Sequence, residues 1–175
     1  MEFIEGAKPP GCIFCDFPRE NGAEADRRNL LLVRTAHSFA MLNRFPYNSG
    51  HLMVIPLRHT ADFAGLSAEE SQDLHRLLQV SVEVVKEAYR PDGFNLGMNL
   101  GRSAGAGIVD HLHYHLVPRW IGDTNFMPVL AETTVLPQAL QATYAQLRPH
   151  FAALEAGRTT TSGSGDGGAT FHHGD

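Results

Sequence analysis

Three short apolar segments, joined by connections too short for a parallel crossover, constrain the fold more than any other feature. The segments 30–34, 38–42 and 51–55 have the composition of strands, and Asn48-Ser49-Gly50 supplies turn residues between the last two. A parallel crossover needs about a dozen residues or more, so strands this close along the chain pair antiparallel. The sequence therefore predicts a mostly antiparallel sheet.

Two helices and two more strands complete the predicted architecture. Ser67 followed by Glu70 matches a capping box, and apolar residues at helical spacing predict a helix over 67–89. Strands are predicted near 94–100 and 111–118, on either side of a Gly-rich turn. A second helix opens at Leu136-Pro137 and presents Leu140, Tyr144, Leu147 and Phe151 to the core, with Pro149 in its last turn. Helices on an antiparallel sheet give an α+β fold.

Composition limits the class of protein. The 175 residues are 43% hydrophobic and 19% charged, which is typical of one folded domain. We expect this domain to span 1–156, followed by a flexible tail, 157–175, rich in Gly, Ser and Thr. A formal charge of −5 argues against a nucleic-acid partner. The sequence has no apolar run of about 20 residues and no signal-peptide pattern, so we expect no membrane partner and a cytoplasmic location.

Three alternating histidines carry the strongest chemical signal. On a strand, His111, His113 and His115 point to one face while Leu112 and Leu116 point to the other. Three imidazoles on one face are costly as ordinary core residues, so a functional role is favoured over buried structural histidines.

Two chemical interpretations fit this pattern. A His-x-His pair on a strand, with a third histidine, can hold a catalytic metal that keeps an open position for water. Alternatively, one imidazole is a nucleophile and its neighbours position it. Upstream, Gly101, Gly105 and Gly107 allow backbone amides to form an anion-binding concavity. This favours a histidine that faces phosphate.

The cysteines Cys12 and Cys15 form a second candidate site. Their C-x-x-C spacing suits a metal or a redox pair, and two free thiols are the simplest alternative. The redox interpretation is weaker because no thioredoxin-like βαβ pattern follows.

These motifs together resemble the histidine triad (HIT) superfamily of nucleotide hydrolases and transferases. The resemblance covers most of 12–155, and the matching segments occur in the family's order. They are Cys12-Ile-Phe-Cys15, Leu42-Asn43-Arg44, Gly50-His51-Leu-Met-Val-Ile-Pro56, His59, Asn99-Leu-Gly101 and the triad His111-Leu-His113-Tyr-His115-Leu-Val. The continuation Pro118-Arg119-Trp120 is most similar to the diadenosine-tetraphosphate phosphorylase and hydrolase branch.

The resemblance implies roles for individual residues. His113 is the expected nucleophile, and its other ring N–H is expected to bond a main-chain carbonyl. His115 and His51 are expected to donate to phosphate oxygens, and Asn43 to contact the ribose. Asn99 and the amides of Gly105, Ala106 and Gly107 are expected to complete the substrate pocket.

One position departs from the family pattern. Many relatives carry Ser or Thr three or four residues before the first triad histidine, where a hydroxyl binds phosphate or protonates the leaving group. Gly107 and Ile108 occupy those positions here, and Ser103 is a candidate replacement from farther upstream.

The resemblance also implies a metal and an assembly. Bacterial relatives hold a structural zinc with the residues that correspond to Cys12, Cys15, His59 and His111. The half-barrel sheet of the family usually occurs in a homodimer.

The implied activity is nucleotidyl transfer through a covalent nucleotidyl-histidine, with diadenosine tetraphosphate as the leading candidate substrate. Phosphorolysis by inorganic phosphate yields ATP and ADP, whereas hydrolysis yields ATP and AMP. The alternatives are a purine nucleoside phosphoramidase, and a nucleotide-binding sensor with weak or no catalysis.

Overall fold

The computed structural model describes residues 11–123 and 140–161, and it has the predicted α+β architecture. The strands are β1 (Leu31–Arg34), β2 (Ser38–Leu42), β3 (Leu52–Pro56), β4 (Gly93–Met98) and β5 (Tyr114–Arg119). The helices are α1 (Ile13–Asp16), α2 (Ala23–Asn29), α3 (Ala68–Tyr89) and α4 (Leu140–Thr161), with short 3-10 turns at Phe17–Arg19 and Arg102–Ala104.

The five strands form one open antiparallel sheet in the order β1-β2-β3-β5-β4. In the centre, Met53 of β3 pairs with His115 of β5, and Gly97 of β4 pairs with the same histidine from the other side. β5 therefore lies between two strands. A side chain on β5 is consequently held in a fixed position.

One face of the sheet is covered by α3 and α4. Leu52, Val54 and Leu116 face these helices and pack in the larger core. The predicted capping box forms, because Ser67 accepts from the Glu70 amide while the Glu70 carboxylate accepts from the Ser67 amide. The predicted inward face of α4 is confirmed: Leu140, Tyr144, Leu147 and Phe151 all pack in this core.

The opposite face carries a smaller core formed with the N-terminal segment. Phe14 of α1 packs with residues that alternate with the helix-facing ones: Leu31, Phe39, Met41, Met53 and Ile55. Alternation along each strand therefore separates the two cores, as the period of a strand requires. The histidines lie on this second face.

The strand predicted over 111–118 is shorter at its start, because β5 begins at Tyr114. The backbone before it makes bonds outside the ladder: the Leu112 amide donates to the Thr60 carbonyl at 2.8 Å, and the His111 carbonyl accepts from the His113 ring at 2.9 Å. Because the Leu112 amide and the His111 carbonyl already have these partners, they do not pair with a neighbouring strand. His111 and His113 therefore precede the strand, and only His115 is part of it.

The C-terminal helix runs past the predicted start of the tail at 157, because α4 ends at Thr161. The predicted opening at Leu136-Pro137 lies outside the described residues. The division into a domain over 1–156 and a tail stays a prediction. Within the described ranges, every helix is too short or too polar to cross a bilayer.

Candidate active site and metal site

A main-chain bond fixes the orientation of His113. Its Nδ1 lies 2.9 Å from the His111 carbonyl oxygen, which can only accept, so Nδ1 carries the proton. The lone pair of the neutral ring is then on Nε2. The side chain is buried, with 4% of its surface exposed. His113 is therefore presented as a neutral base or nucleophile in a single tautomer.

His51 and His115 form a hydrogen-bonded pair beside it. The Tyr47 amide donates to His51 Nδ1 at 3.1 Å, so the proton of the neutral His51 ring is on Nε2. His51 Nε2 lies 3.0 Å from His115 Nδ1 and donates to it, which leaves the His115 proton on its own Nε2. The rings of His113 and His115 are 5.0 Å apart. One N–H, on His115, is thereby directed away from the pair.

An open cavity of about 580 Å³ begins at His115. Its wall includes Asn99, Tyr47 and residues of β4 and β5. Because His115 is half-buried and lines this space, its free N–H can reach a ligand there. His51 is 1% exposed, so it contacts the cavity only through His115 in this conformation.

Burial keeps these imidazoles neutral. It lowers the pKa of His51 to about 3, with a further contribution from the neighbouring His115. It lowers the pKa of His115 to about 4, with a further contribution from His113. The pKa of His113 is also lowered by burial, against the opposing effect of its bond to the His111 carbonyl. Neutral rings at pH 7 have the lone pair that a nucleophile needs.

The predicted metal ligands converge at the other end of the histidine segment. Donor atoms of Cys12, Cys15, His59 and His111 all lie within 4.8 Å of one another. His111 Nδ1 is 3.3 Å from Cys12 Sγ and 3.2 Å from His59 Nδ1. His111 Nε2 donates to the Pro56 carbonyl at 2.8 Å, so the lone pair of Nδ1 points into the cluster.

This donor set fits zinc. Tetrahedral coordination with ordinary Zn–N and Zn–S bonds separates two nitrogens by about 3.3 Å and a nitrogen from a sulfur by about 3.6 Å. The observed 3.2 Å and 3.3–3.6 Å are close to these edges. Burial and the neighbouring Cys12 raise the pKa of Cys15, so its thiolate form needs a nearby cation. Four protein ligands leave no position for water, as in structural sites.

The other predicted site residues lie at different distances from the histidines. Asn43 Nδ2 is 3.4 Å from His51 Nε2 and 3.5 Å from its Nδ1, while its Oδ1 accepts from the Phe45 amide. Asn99 lines the cavity with His115. These two amides are therefore part of the same site.

The Gly-rich turn is less directly involved. The Gly105 amide donates to the Arg102 carbonyl at 3.0 Å, so it is not available to a phosphate in this conformation. Ala106 and Gly107 follow on the surface. Ile108 packs against the smaller core, and Ser103 is exposed in the short 3-10 turn. Roles of these residues in substrate binding stay predictions.

Three features of the site were not predicted from sequence. Phe14, inside the C-x-x-C motif, contacts both His111 and His113. Tyr47 stacks on His51, with ring centroids 4.9 Å apart. The third is a polar cluster at the cavity wall, in which Arg119 bonds both oxygens of Asp123. For Phe14 the sequence shows only its position between two predicted ligands, which does not specify its contacts.

Comparisons with known proteins agree with this geometry. The model of the HIT domain family matches residues 25–120. An AP-4-A phosphorylase of Mycobacterium tuberculosis is 44% identical over 119 residues, which cover 68% of this chain and 61% of that protein. The chain thus spans less than two thirds of that relative's length.

Solved structures share the fold. A hypothetical histidine triad nucleotide-binding protein from Sulfolobus tokodaii aligns with a TM-score of 0.62 at 24% identity, over 82% of this chain and 94% of the other. A Zn-bound histidine triad family protein from Mycobacterium smegmatis aligns with a TM-score of 0.57 at 24% identity, over 73% of this chain and 87% of the other. With its triad, its antiparallel sheet and the family match over more than half of its length, the chain belongs to the HIT domain family.

Proposed function

We propose that this protein transfers a nucleotidyl group from a dinucleoside polyphosphate, with diadenosine tetraphosphate as the leading substrate. The observation that carries the proposal is the 2.9 Å bond from His113 Nδ1 to the His111 carbonyl, because it leaves the lone pair of the neutral ring on Nε2. The similarity to a mycobacterial AP-4-A phosphorylase supports the choice of substrate.

In the first step, the Nε2 lone pair of His113 attacks the α-phosphorus of the substrate. A P–N bond forms and the bond from phosphorus to the bridging oxygen breaks, so that ATP leaves and an adenylyl-imidazole remains. The Nδ1 proton stays on the ring and its bond to the His111 carbonyl stabilises the positive charge. Two displacements then replace one difficult one.

In the second step, an acceptor attacks the same phosphorus and the P–N bond breaks. Inorganic phosphate as acceptor yields ADP, and water yields AMP. The His115 N–H donates to a non-bridging phosphate oxygen, where negative charge develops in both steps. His51 supports this donor by bonding His115 Nδ1. In this proposal Asn43 contacts the ribose and Asn99 helps to bind the phosphates.

We also propose that Cys12, Cys15, His59 and His111 hold a structural zinc. When bound, the ion joins α1 to the segment that carries His113 and supplies folding energy. Reduced thiols are necessary for this, which supports a cytoplasmic location. The alternative is a catalytic zinc, whose removal would abolish activity without unfolding the protein.

A homodimer through the outer edge of β4 completes the proposal. β4 is the last strand of the described sheet, and its Leu96 is 49% exposed beside a groove of about 840 Å³ that α3 lines with Val80 and Val82. Pairing two such edges would cover unpaired backbone groups and apolar surface together. Light scattering tests this, because Leu96→Arg is expected to yield monomers.

Product analysis of diadenosine tetraphosphate turnover tests the activity. With phosphate we expect ADP and ATP in equal amounts, and rapid quenching followed by mass spectrometry should detect a nucleotide on the peptide that contains His113. AMP and ATP in the same buffer would instead identify a hydrolase. Bound substrate without products would favour the sensor, and faster cleavage of an adenosine phosphoramidate would favour the phosphoramidase.

A further inference from the structure

Phe14 links the cysteine motif to the centre of the histidine triad. It lies between Cys12 and Cys15 in α1, and 2% of its surface is exposed. Its ring centroid is 5.5 Å from that of His111, with the two planes at 87°, and 5.2 Å from that of His113, with the planes at 54°. Both distances are within the range of ring pairs that attract each other.

The His113 ring needs such a contact. One hydrogen bond, from Nδ1 to the His111 carbonyl, holds a single atom of the ring and leaves rotation about the side-chain bonds to be limited by packing. His115 provides a neighbour at 5.0 Å, with its plane at 75°. Among the described residues Phe14 provides the second ring neighbour, so the imidazole is contacted by one ring from α1 and one from β5.

Phe14 is itself held firmly. Its ring belongs to the smaller core, where Phe39 and Ile55 are completely buried. Its backbone lies in a turn that Cys12 closes by accepting from the amides of Cys15 and Asp16 at 2.9 and 3.0 Å. The side chain is therefore fixed by the sheet, and its main chain by the turn between the two cysteines.

We propose that Phe14 is a positioning residue for His113, holding the imidazole in the orientation in which Nδ1–H reaches the His111 carbonyl and Nε2 is free. The C-x-x-C segment then contributes to the active site through a side chain that binds no metal. This inference rests on the proposed function only for the meaning of Nε2 as a nucleophile. The orientation of the ring is measurable without any substrate.

The experiment compares Phe14→Leu with Phe151→Leu in the full chain. Both changes remove a buried ring, and Phe151 belongs to the larger core on the opposite face of the sheet from Phe14 and the histidines. Three quantities are measured for each variant: the zinc content, the 15N NMR signals of the His113 ring, and kcat and KM for diadenosine tetraphosphate. The NMR signals report which ring nitrogen carries the proton.

For Phe14→Leu we expect unchanged zinc content, averaged His113 nitrogen signals that indicate two tautomers, and a kcat about tenfold lower with KM little changed, since misplacement of a reacting group by about 1 Å can cost 10²-fold. For Phe151→Leu we expect wild-type signals and kcat. Should Phe14→Leu not fold, Phe14→Met fills more of the volume and replaces it.

Wild-type His113 signals in the Phe14 variant, or equal loss of kcat in both variants, would overturn the proposal. The proposed function fails in a different way. If His113→Asn turns over substrate normally while Phe14→Leu still averages the His113 signals, the positioning holds and the nucleophile assignment does not.

Discussion

The two groups of histidines lie on the same face of the sheet, yet their nitrogens are used in opposite ways. In the candidate metal group, His111 donates a hydrogen bond from Nε2 to the Pro56 carbonyl, so its Nδ1 lone pair points at the thiols. In the candidate active-site group, His113 donates a hydrogen bond from Nδ1 to the His111 carbonyl, so its lone pair is on Nε2. The same type of side chain is a candidate metal ligand in one group and a candidate nucleophile in the other.

What distinguishes the groups is the main-chain partner of each ring. Carbonyls select the donor nitrogen of His111 and His113, and the Tyr47 amide selects the acceptor nitrogen of His51. Side-chain identity and burial are nearly the same, because His51, His111 and His113 are all at most 4% exposed. The main-chain group beside each imidazole therefore determines which of its two nitrogens carries the lone pair.

The largest expected effect comes from replacing the nucleophile. His113→Asn removes Nε2, so we expect kcat to fall by about 10³-fold or more while nucleotide binding and zinc content persist. Steady-state kinetics and calorimetric titration with the substrate measure both. A variant that retains a tenth of the wild-type rate would refute the nucleophile assignment, and His75→Asn, on the exposed surface of α3, is the matched control.

Removing a metal ligand is expected to affect folding first. His59→Asn takes one of four donors from the cluster, so zinc content should fall and the free energy of unfolding should drop by roughly 3–5 kcal/mol. Elemental analysis and urea unfolding test this against His75→Asn. Loss of activity with an unchanged free energy of unfolding would point to a catalytic metal instead.

Altering the donor pair should have an intermediate effect. His51→Leu removes the N–H that bonds His115 Nδ1, and we expect kcat to fall about 10²-fold. The amide of Gln can replace that N–H, so His51→Gln should be closer to wild type. Equal losses in the two variants would show that His51 acts by packing alone.

Acid should destabilise the protein through the same pair. The pKa values of His51 and His115, about 3 and about 4, lie below the ordinary 6.5. Between these values the unfolded chain binds protons at the two rings and the folded chain does not. The contribution of these two neutral rings to the free energy of unfolding is present above pH 6.5 and is lost as the pH falls towards these values. Between pH 7 and 5 the buried His51 ring should cost about 2 kcal/mol, and the more exposed His115 ring should cost less because solvent screens its charge. Urea unfolding at both pH values should show a smaller loss for His51→Leu.

The smallest effect is expected at the candidate hydroxyl. Ser103 is exposed in the short turn Arg102–Ala104, so Ser103→Ala should change kcat by less than about twofold, far from the 10²-fold typical of a lost general acid. A tenfold fall, with Ser67→Ala as the comparison hydroxyl, would identify Ser103 as the proton donor to the leaving group.

The order and type of the main elements could be predicted from the sequence because apolar spacing alone specifies them. The antiparallel sheet, the capped helix α3 and the inward residues of α4 are confirmed. The start of β5 was not predictable, because it depends on bonds from Leu112 to Thr60 and from the His113 ring to a carbonyl. Such bonds join residues by tertiary contact, which periodicity does not record.

The four residues of the candidate metal cluster were likewise predictable, and the hydrogen bonding of the histidine rings was not. The spacing of cysteines and histidines, with the family resemblance, identified the four residues that converge within 4.8 Å. The tautomer of each ring depends on a main-chain carbonyl or amide. Nearly all residue types have both groups, so the sequence does not indicate which one a ring will contact. Phe14 was missed for a related reason: an apolar residue between two ligands has no chemical signature until its contacts are known.

The Pro56 carbonyl shows what this organisation means for mutational surveys. It orients a candidate metal ligand through an oxygen that no side-chain substitution can delete. An alanine substitution at position 56 would remove the proline ring but keep the carbonyl. The measured effect would therefore not include the contribution of this hydrogen-bond acceptor. Weakening that acceptor requires chemical synthesis with an ester in place of the following amide, and sequence variation at this position says little about how closely the oxygen is constrained.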